Sequence, residues 1–251
     1  YEELEFFRAL KKAFDPADLA NPDKILPVSV DSRPEPGSAG LAARAALSPE
    51  GRGIVDELRL RSRGGVRTAV TGLGTRLKAD KFEGGAKPLD LRALSGRAVI
   101  DRENLTARAE AGMRLEDFRR QLKEAGLALE LPDLEGSVGG LIASKVYPGI
   151  REVLLGLEVA TAEGELLELG GKTVKNVAGY DAVKLLCGSM GAYCVILAAT
   201  FSVSAGARRQ HAACAEPAAW DAFEPEPFHR RLKTALDPRN LLNPWVYGDN
   251  K

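Results

Sequence analysis

The residues of this chain best able to do chemistry are glycines in groups, each group set among polar side chains. The densest is Gly170-Gly171-Lys172-Thr173-Val174-Lys175-Asn176-Val177-Ala178-Gly179-Tyr180-Asp181. Its glycines mark backbone that turns sharply or lies close to something. A surface turn needs two to four such residues, far fewer than this stretch supplies. Either a ligand lies against the segment or it is an elaborate loop on a rigid scaffold. A second group, Thr71-Gly72-Leu73-Gly74-Thr75-Arg76, follows a short strand at 67–70. Glycines let consecutive N–H groups converge into an anion-binding nest. The third group is Pro132-Asp133-Leu134-Glu135-Gly136-Ser137-Val138-Gly139-Gly140-Leu141-Ile142-Ala143-Ser144. It leads into a small-residue helix whose N-terminus would attract an anion.

Familiar phosphate motifs fail here. A Rossmann GxGxxG needs a third glycine where Leu77 stands, and a Walker A motif ending in Gly171-Lys172-Thr173 needs a glycine where Leu166 stands. Each group also has a plainer reading. Gly72 and Gly74 suit a tight turn, and Gly139, Gly140 and Ala143 suit close helix packing.

The elements around these loops are legible. Leu4, Phe7, Leu10 and Phe14 fall on helical spacing over 3–13. Asp15-Pro16 then predicts a short second helix, which Asn21-Pro22 ends. Residues 28–49 are rich in Pro, Gly, Ser and Ala and read as a linker. Ser48-Pro49-Glu50 opens a helix to about Arg63, stopped by Gly64-Gly65. Strands are expected at 98–101 and 105–109, a helix at 115–125 capped by Gly126, and a strand at 127–131. Strands at 153–162 and 165–169 flank a hairpin turn at Glu163-Gly164. A short helix at 182–187, a strand at 193–203 and a terminal helix from Phe228 complete the reading.

The two ends of the chain repeat one pattern. Phe228, Leu232, Leu236, Asp237-Pro238, Leu241 and Asn243-Pro244 match Phe6, Leu10, Phe14, Asp15-Pro16, Leu19 and Asn21-Pro22 at a constant offset of 222, as from Asp15 to Asp237. Generic capping chemistry arising twice is the plain alternative. Two copies of one C-terminal module point instead to two related chains joined end to end.

Composition bounds the function. Lys+Arg and Asp+Glu both number 35 in 251 residues, so net charge is zero, which argues against nucleic-acid binding. Cys187, Cys194 and Cys214 form no CxxC and read as buried thiols in a reducing compartment. No apolar run is long enough to span a membrane, and no signal peptide is expected.

Three glycine-rich loops in this order, each between a strand and a helix, resemble the FAD-linked oxidases of the vanillyl-alcohol oxidase and p-cresol methylhydroxylase type. Gly171–Gly191 carries the most specific likeness, and it is to the smaller FAD-binding chains of the bacterial glycolate oxidases. Residues 7–26 resemble the C-terminus of the companion catalytic chains of those oxidases. The resemblance implies an α+β, two-subdomain PCMH-type FAD-binding fold over 49–203, a tail at 1–27, a linker at 28–48 and a C-terminal helical module at 228–251. It implies that Gly72, Leu73, Gly74 and Thr75 cradle the FAD pyrophosphate. Pro132, Gly136, Ser137, Val138, Gly139 and Gly140 would close on it from the other side. Lys175, Asn176, Gly179 and Tyr180 would line the flavin region, with Val195 and Ile196 offering backbone contacts. It also implies a 2-hydroxyacid substrate, a companion FAD subunit, an iron–sulfur partner and a cytoplasmic place, with peripheral attachment at the inner membrane as a variant.

Two departures from the family pattern follow. Covalent flavin attachment often uses a histidine in the first glycine loop, where Thr75 stands here; His211 and His229 lie well outside it, so non-covalent FAD is expected. Family members insert a cap domain before the terminal helix, but Ser204–Pro227 is about 24 residues, below the roughly 40 an unstapled domain needs. With the cap missing, no general base can be nominated. A non-catalytic subunit with a vestigial FAD site stands as the alternative reading, and a stand-alone oxidase with an open site as a third.

Overall fold

The computed structural model describes residues 2–16, 47–75, 85–170, 182–206 and 227–247. In chain order its elements are α1 (Glu2–Phe14), α2 (Pro49–Arg63), β1 (Thr68–Thr71), β2 (Lys87–Asp90), β3 (Val99–Asp101), β4 (Thr106–Glu110), α3 (Leu115–Glu124), β5 (Leu127–Ala128), α4 (Val138–Ser144), α5 (Ile150–Val153), β6 (Leu154–Ala160), β7 (Leu166–Gly170), α6 (Ala182–Leu186), β8 (Val195–Ser202), β9 (Ser204–Ala205) and α7 (Pro227–Leu236). A 3₁₀ turn at Pro244–Val246 follows.

Local sequence explains several boundaries. Ser48 caps α2 by accepting from the Gly51 N–H at 3.1 Å, with Pro49 in the first turn where its missing N–H costs nothing. Leu115, Phe118 and Leu122 form the buried stripe of α3.

The fold is α+β, in two subdomains built on two apolar cores. Five strands pair antiparallel in the order β3-β4-β8-β6-β7, and β1 pairs with β2 in a separate parallel pair. Central β8 begins with an unbroken apolar run because both of its faces are covered. Successive side chains of a strand point to opposite faces. Val195 and Leu197 therefore join Ile54, Leu58 and Leu89 in the core beneath α2 and β1. Ile196 faces the larger core with Phe118 and Leu141; the pairing with β6 is irregular at Leu197, which shifts the parity, so that Ala199 and Phe201 face the larger core as well. Across β8, the Arg108 guanidinium on β4 donates twice to the Glu158 carboxylate on β6, at 2.5 and 2.7 Å. That carboxylate raises the Arg108 pKa above its ordinary value.

Three of the differences from the sequence reading bear on the frame of the site. Strand β2 was not expected, because Lys87-Pro88-Leu89-Asp90 has a single inward apolar residue, Leu89. Proline is tolerated there because β2 pairs only on its β1 side. The strand expected at 127–131 shortens to two residues, since its partner β9 offers only two. Leu129 and Leu131 stay buried, but Leu131 turns back to donate to the Leu129 carbonyl.

The third difference is at the Asp-Pro corner. No helix follows Asp237-Pro238. The Asp237 carboxylate accepts from the N–H groups of Leu241 at 3.0 Å and Leu242 at 2.7 Å. It thereby takes the donors a continuing helix would need, and Asn240 turns left-handed at φ 50°. The helix expected after Asp15-Pro16 lies outside the described residues.

The C-terminal module is stitched to β1. Thr68 donates to the Leu241 carbonyl at 2.6 Å, and Asn243 donates back to the Thr68 carbonyl at 2.8 Å. Lys233, fully buried, donates to the carbonyls of Ala192 and Leu242 and to Asp237. Burial pulls its pKa below the ordinary lysine value, opposed by the Asp237 charge. Behind the module, Tyr193 and Tyr247 stack with centroids 5.8 Å apart. Helix α1 packs on α7, with the rings of Phe14 and Phe228 4.7 Å apart.

Candidate functional site

A cavity of about 530 Å³ opens where the two subdomains meet. Its first wall is the loop that leaves β1. Gly72, Leu73, Gly74 and Thr75 line it. Gly74 sits at φ 73°, which suits glycine and turns the loop back over the cavity. Among the described residues, the backbone N–H groups of these four residues make no hydrogen bond. Unused donors at a cavity rim are what an anionic ligand requires.

The second wall is the loop into α4. Ser137, Gly139, Gly140 and Ala143 line it. The two loops touch. A Cβ on Gly72 would fall 2.9 Å from Ser137 Oγ, and one on Gly136 would fall 3.2 Å from Thr75 Oγ1. Glycine at 72 therefore lets the first loop close onto the second.

The N–H groups of α4 have other uses. Val138 donates to the Met113 carbonyl, Gly139 to Ala111, Gly140 to Ser137 Oγ and Leu141 to the Ser137 carbonyl. A Cβ on Gly139 would stand 2.7 Å from the Ala111 Cβ. Both readings of this loop thus have a place: it packs tightly through Gly139, and it lines the cavity through Ser137, Gly140 and Ala143.

Met190, Gly191, Ile196 and Asn243 form the floor. Asn243 ties it together. Its Oδ1 accepts from the Val70 N–H at 2.7 Å, and its Nδ2 donates to the Met190 carbonyl at 2.7 Å. One side chain so fixes the root of the first loop against the turn before β8. The far rim holds Asp90 and Arg92. The Arg92 guanidinium donates to Asp90 at 2.6 Å and holds that carboxyl below its usual range.

Of the residues anticipated for a cofactor, Gly72, Leu73, Gly74, Thr75, Ser137, Gly139, Gly140 and Ile196 line this one cavity. Gly136 stands behind Thr75. Pro132, Val138 and Val195 do not line it. The Pro132 carbonyl accepts from Arg119, while Val138 and Val195 are buried in the two cores. Lys175, Asn176, Gly179 and Tyr180 lie outside the described residues. Asn243, Met190 and Gly191 were missed as site residues. Asn243 did carry a signal, the repeated Asn-Pro pair, but that pair reads first as a helix stop.

The described cysteines offer no competing chemistry. Cys187 and Cys194 are buried and free. Burial raises both thiols, Cys194 to about 12, so neither holds a reactive thiolate near neutral pH. Cys214 and His211 lie outside the described residues, and His229 on α7 sits beside the Phe228 ring instead of the cavity.

The fold has solved counterparts. It matches alkyldihydroxyacetonephosphate synthase with a TM-score of 0.52 at 22% identity, over 64% of this chain and 31% of that one. Residues 52–170 match the FAD binding domain family, and residues 1–25 match the C-terminal domain of FAD linked oxidases. The chain thus carries an FAD binding domain and a stretch of the C-terminal domain of FAD linked oxidases. Its cofactor is FAD. The cavity fits that group: FAD brings two phosphates, and the first loop presents four unused N–H donors beside a mostly apolar recess.

Relatives of the chain have known names. It is 37% identical over 103 residues to the glycolate oxidase subunit GlcD of Bacillus subtilis, covering 37% of this chain and 22% of that protein. It is 36% identical over 128 residues to a D-2-hydroxyglutarate dehydrogenase of Xanthomonas citri, covering 47% of this chain and 25% of that protein. It is 34% identical over 114 residues to the glycolate oxidase subunit GlcE of Escherichia coli, covering 41% and 33%. In each case the match spans no more than a third of the relative's length.

Proposed function

We propose that this chain is the FAD-binding subunit of a glycolate-type 2-hydroxyacid oxidase or dehydrogenase complex. The observation that supports it best is the meeting of two glycine loops over one cavity, with the amides of Gly72–Thr75 unpaired. When bound, FAD supplies the two-electron acceptor for a hydride from the substrate carbon. The chain's own residues hold and orient it. Gly72, Leu73, Gly74 and Thr75 donate N–H groups to the pyrophosphate. Ser137 and Gly140 close the second wall, and Ile196 and Met190 exclude water from the floor. Asn243 keeps the two halves in register. Lys175, Asn176, Gly179 and Tyr180 complete the flavin end in this reading. Thr75 stands where a histidine would make a covalent link, so the flavin is held non-covalently.

The names of the relatives support a small 2-hydroxyacid as the substrate and a companion FAD subunit as the partner. In this reading electrons leave through an iron–sulfur subunit. No helix among the described residues is long and apolar enough to cross a membrane, and the proposal places the unit in the cytoplasm.

The test is a titration of the purified protein with FAD, followed by visible absorption and by quenching of flavin fluorescence. One FAD per copy of residues 47–247 is expected, released by acid precipitation because it is not covalently attached. Bleaching of the bound flavin by glycolate or D-lactate would place substrate oxidation in this chain; bleaching only with a companion present would make it an electron relay. No flavin uptake would overturn the reading and leave a non-catalytic docking subunit.

A further inference from the structure

The two ends of the chain share more than the spacing of their apolar residues. At the offset of 222, Arg8 matches Arg230, Lys11 matches Lys233, and Ala13 matches Ala235. The structure keeps the likeness. Asp15 donates its N–H to the Lys11 carbonyl at 2.7 Å, as Asp237 does to Lys233 at 2.8 Å. Lys11 pairs with Asp15 at 3.8 Å, as Lys233 pairs with Asp237 at 2.6 Å. Helix α1 therefore carries a second copy of the module that ends the FAD domain.

The copy on α7 is spent on its own FAD domain. Lys233 reaches the Ala192 carbonyl, and Leu241 and Asn243 bond Thr68 on β1. Strand β1 is then paired on both edges, by this segment and by β2. It has no edge left for a second copy. A module with the same Lys-Asp-Pro and Leu-x-Asn-Pro chemistry suits the β1 edge of another FAD domain. Residues 1–25 match the C-terminal domain of FAD linked oxidases.

The way α1 lies on α7 adds a symmetry. Phe14, at the C-terminal end of α1, packs against Phe228, at the N-terminal end of α7, with the rings tilted at 54°. Under a two-fold axis this contact has a mate between Phe6 and Leu236, the matching residues with the helices exchanged. Phe6 and Leu236 are both buried in the same core cluster. Helix α1 also rests beside β7, so the axis would set α7 beside the corresponding strand of the other domain. Phe14 stays 44% exposed next to Phe228, which leaves apolar surface for a second domain to cover.

We propose that α1 and α7 form an approximate two-fold junction between this FAD binding domain and a second FAD binding domain of the same family, to which the α1 module belongs. The junction rests on the reading of the partner as a companion FAD subunit and names the surface it uses.

The test uses the intact native protein with whatever chains co-purify. Native mass should show two FAD-domain-sized units, and flavin content should be two per pair of units, one on residues 47–247 and one on the companion domain. A proteolytic cut within residues 28–46 should leave the two units associated. Phe14→Asp should weaken that association at least tenfold after the cut, while Phe14→Leu, the residue found at 236, should retain it. Phe14 is partly exposed, so neither change threatens folding of the FAD domain. A native mass with a single FAD domain, or association unmoved by Phe14→Asp, would overturn the junction. Two associated units with no flavin on residues 47–247 would uphold the junction and overturn the cofactor reading instead.

Discussion

The two glycine loops of the cavity use the same residue for opposite purposes. In the first, Gly72–Thr75, glycine frees the backbone to present N–H groups that nothing in the described protein takes. In the second, Gly136–Gly140, glycine removes bulk so that α4 can press onto Ala111, and its N–H groups from Val138 onward are consumed by the protein. One loop is open chemistry and the other is packed structure. A ligand's anionic part therefore belongs against the first loop, and the second sets how far away the opposite wall stands. Removing side chains is an economical way to do both, because a buried N–H must find a partner while one at a cavity rim can wait for a ligand.

The comparison can be broken hardest from below, at the stitch that holds the first loop's strand. Lys233→Ala leaves the Asp237 carboxylate buried without its cation. Removing one partner of a buried ion pair costs about 3–5 kcal/mol. Urea unfolding of the FAD-free protein should show a loss of that order. A loss under ~1 kcal/mol would mean that the pair does not anchor the module to β1.

The next effect separates the loops. Gly139→Val puts a branched side chain against Ala111, where even a Cβ has 2.7 Å. Overpacking of this kind costs about 1–3 kcal/mol. The FAD-free protein should lose that stability in the same urea assay, since the defect is in packing and needs no ligand. Full stability in the variant, with only FAD affinity lost, would make the second loop a binding element like the first.

Most of the scaffold was legible because its signals are local. The stripe of Leu115, Phe118 and Leu122, the Ser48-Pro49 cap and the Glu163-Gly164 hairpin each state their element within a few residues. What escaped depends on distant partners. Strand β2 exists because β1 offers it an edge, and β5 is short because β9 is. The corner after Asp237 is a turn because one carboxylate takes two N–H groups that the sequence assigns to a helix. The site divides the same way. Gly72 and Gly74 announce themselves, but which amides remain free is decided by Met113, Ala111 and Ser137, and glycine count says nothing of that. Asn243 was visible only as a helix stop, since Val70 and Met190 are far from it in sequence.

The smallest expected effect sharpens the comparison most, because it should leave the fold untouched. Thr75 is exposed at the end of the first loop and has no side-chain partner among the described residues. Thr75→Asp places a carboxylate beside N–H groups that have nothing to hold. Surface changes away from packed or paired groups usually stay within about 0.5 kcal/mol, so the FAD-free protein should unfold at the same urea concentration as the wild type. The carboxylate competes with the pyrophosphate for those donors and repels it. FAD should then bind at least tenfold more weakly, a change of about 1.4 kcal/mol, read from the fluorescence titration. Added salt screens exposed charges, so the deficit should narrow as ionic strength rises. An unchanged FAD affinity would show that the pyrophosphate lies elsewhere, and the open amides of Gly72–Thr75 would then need a different ligand.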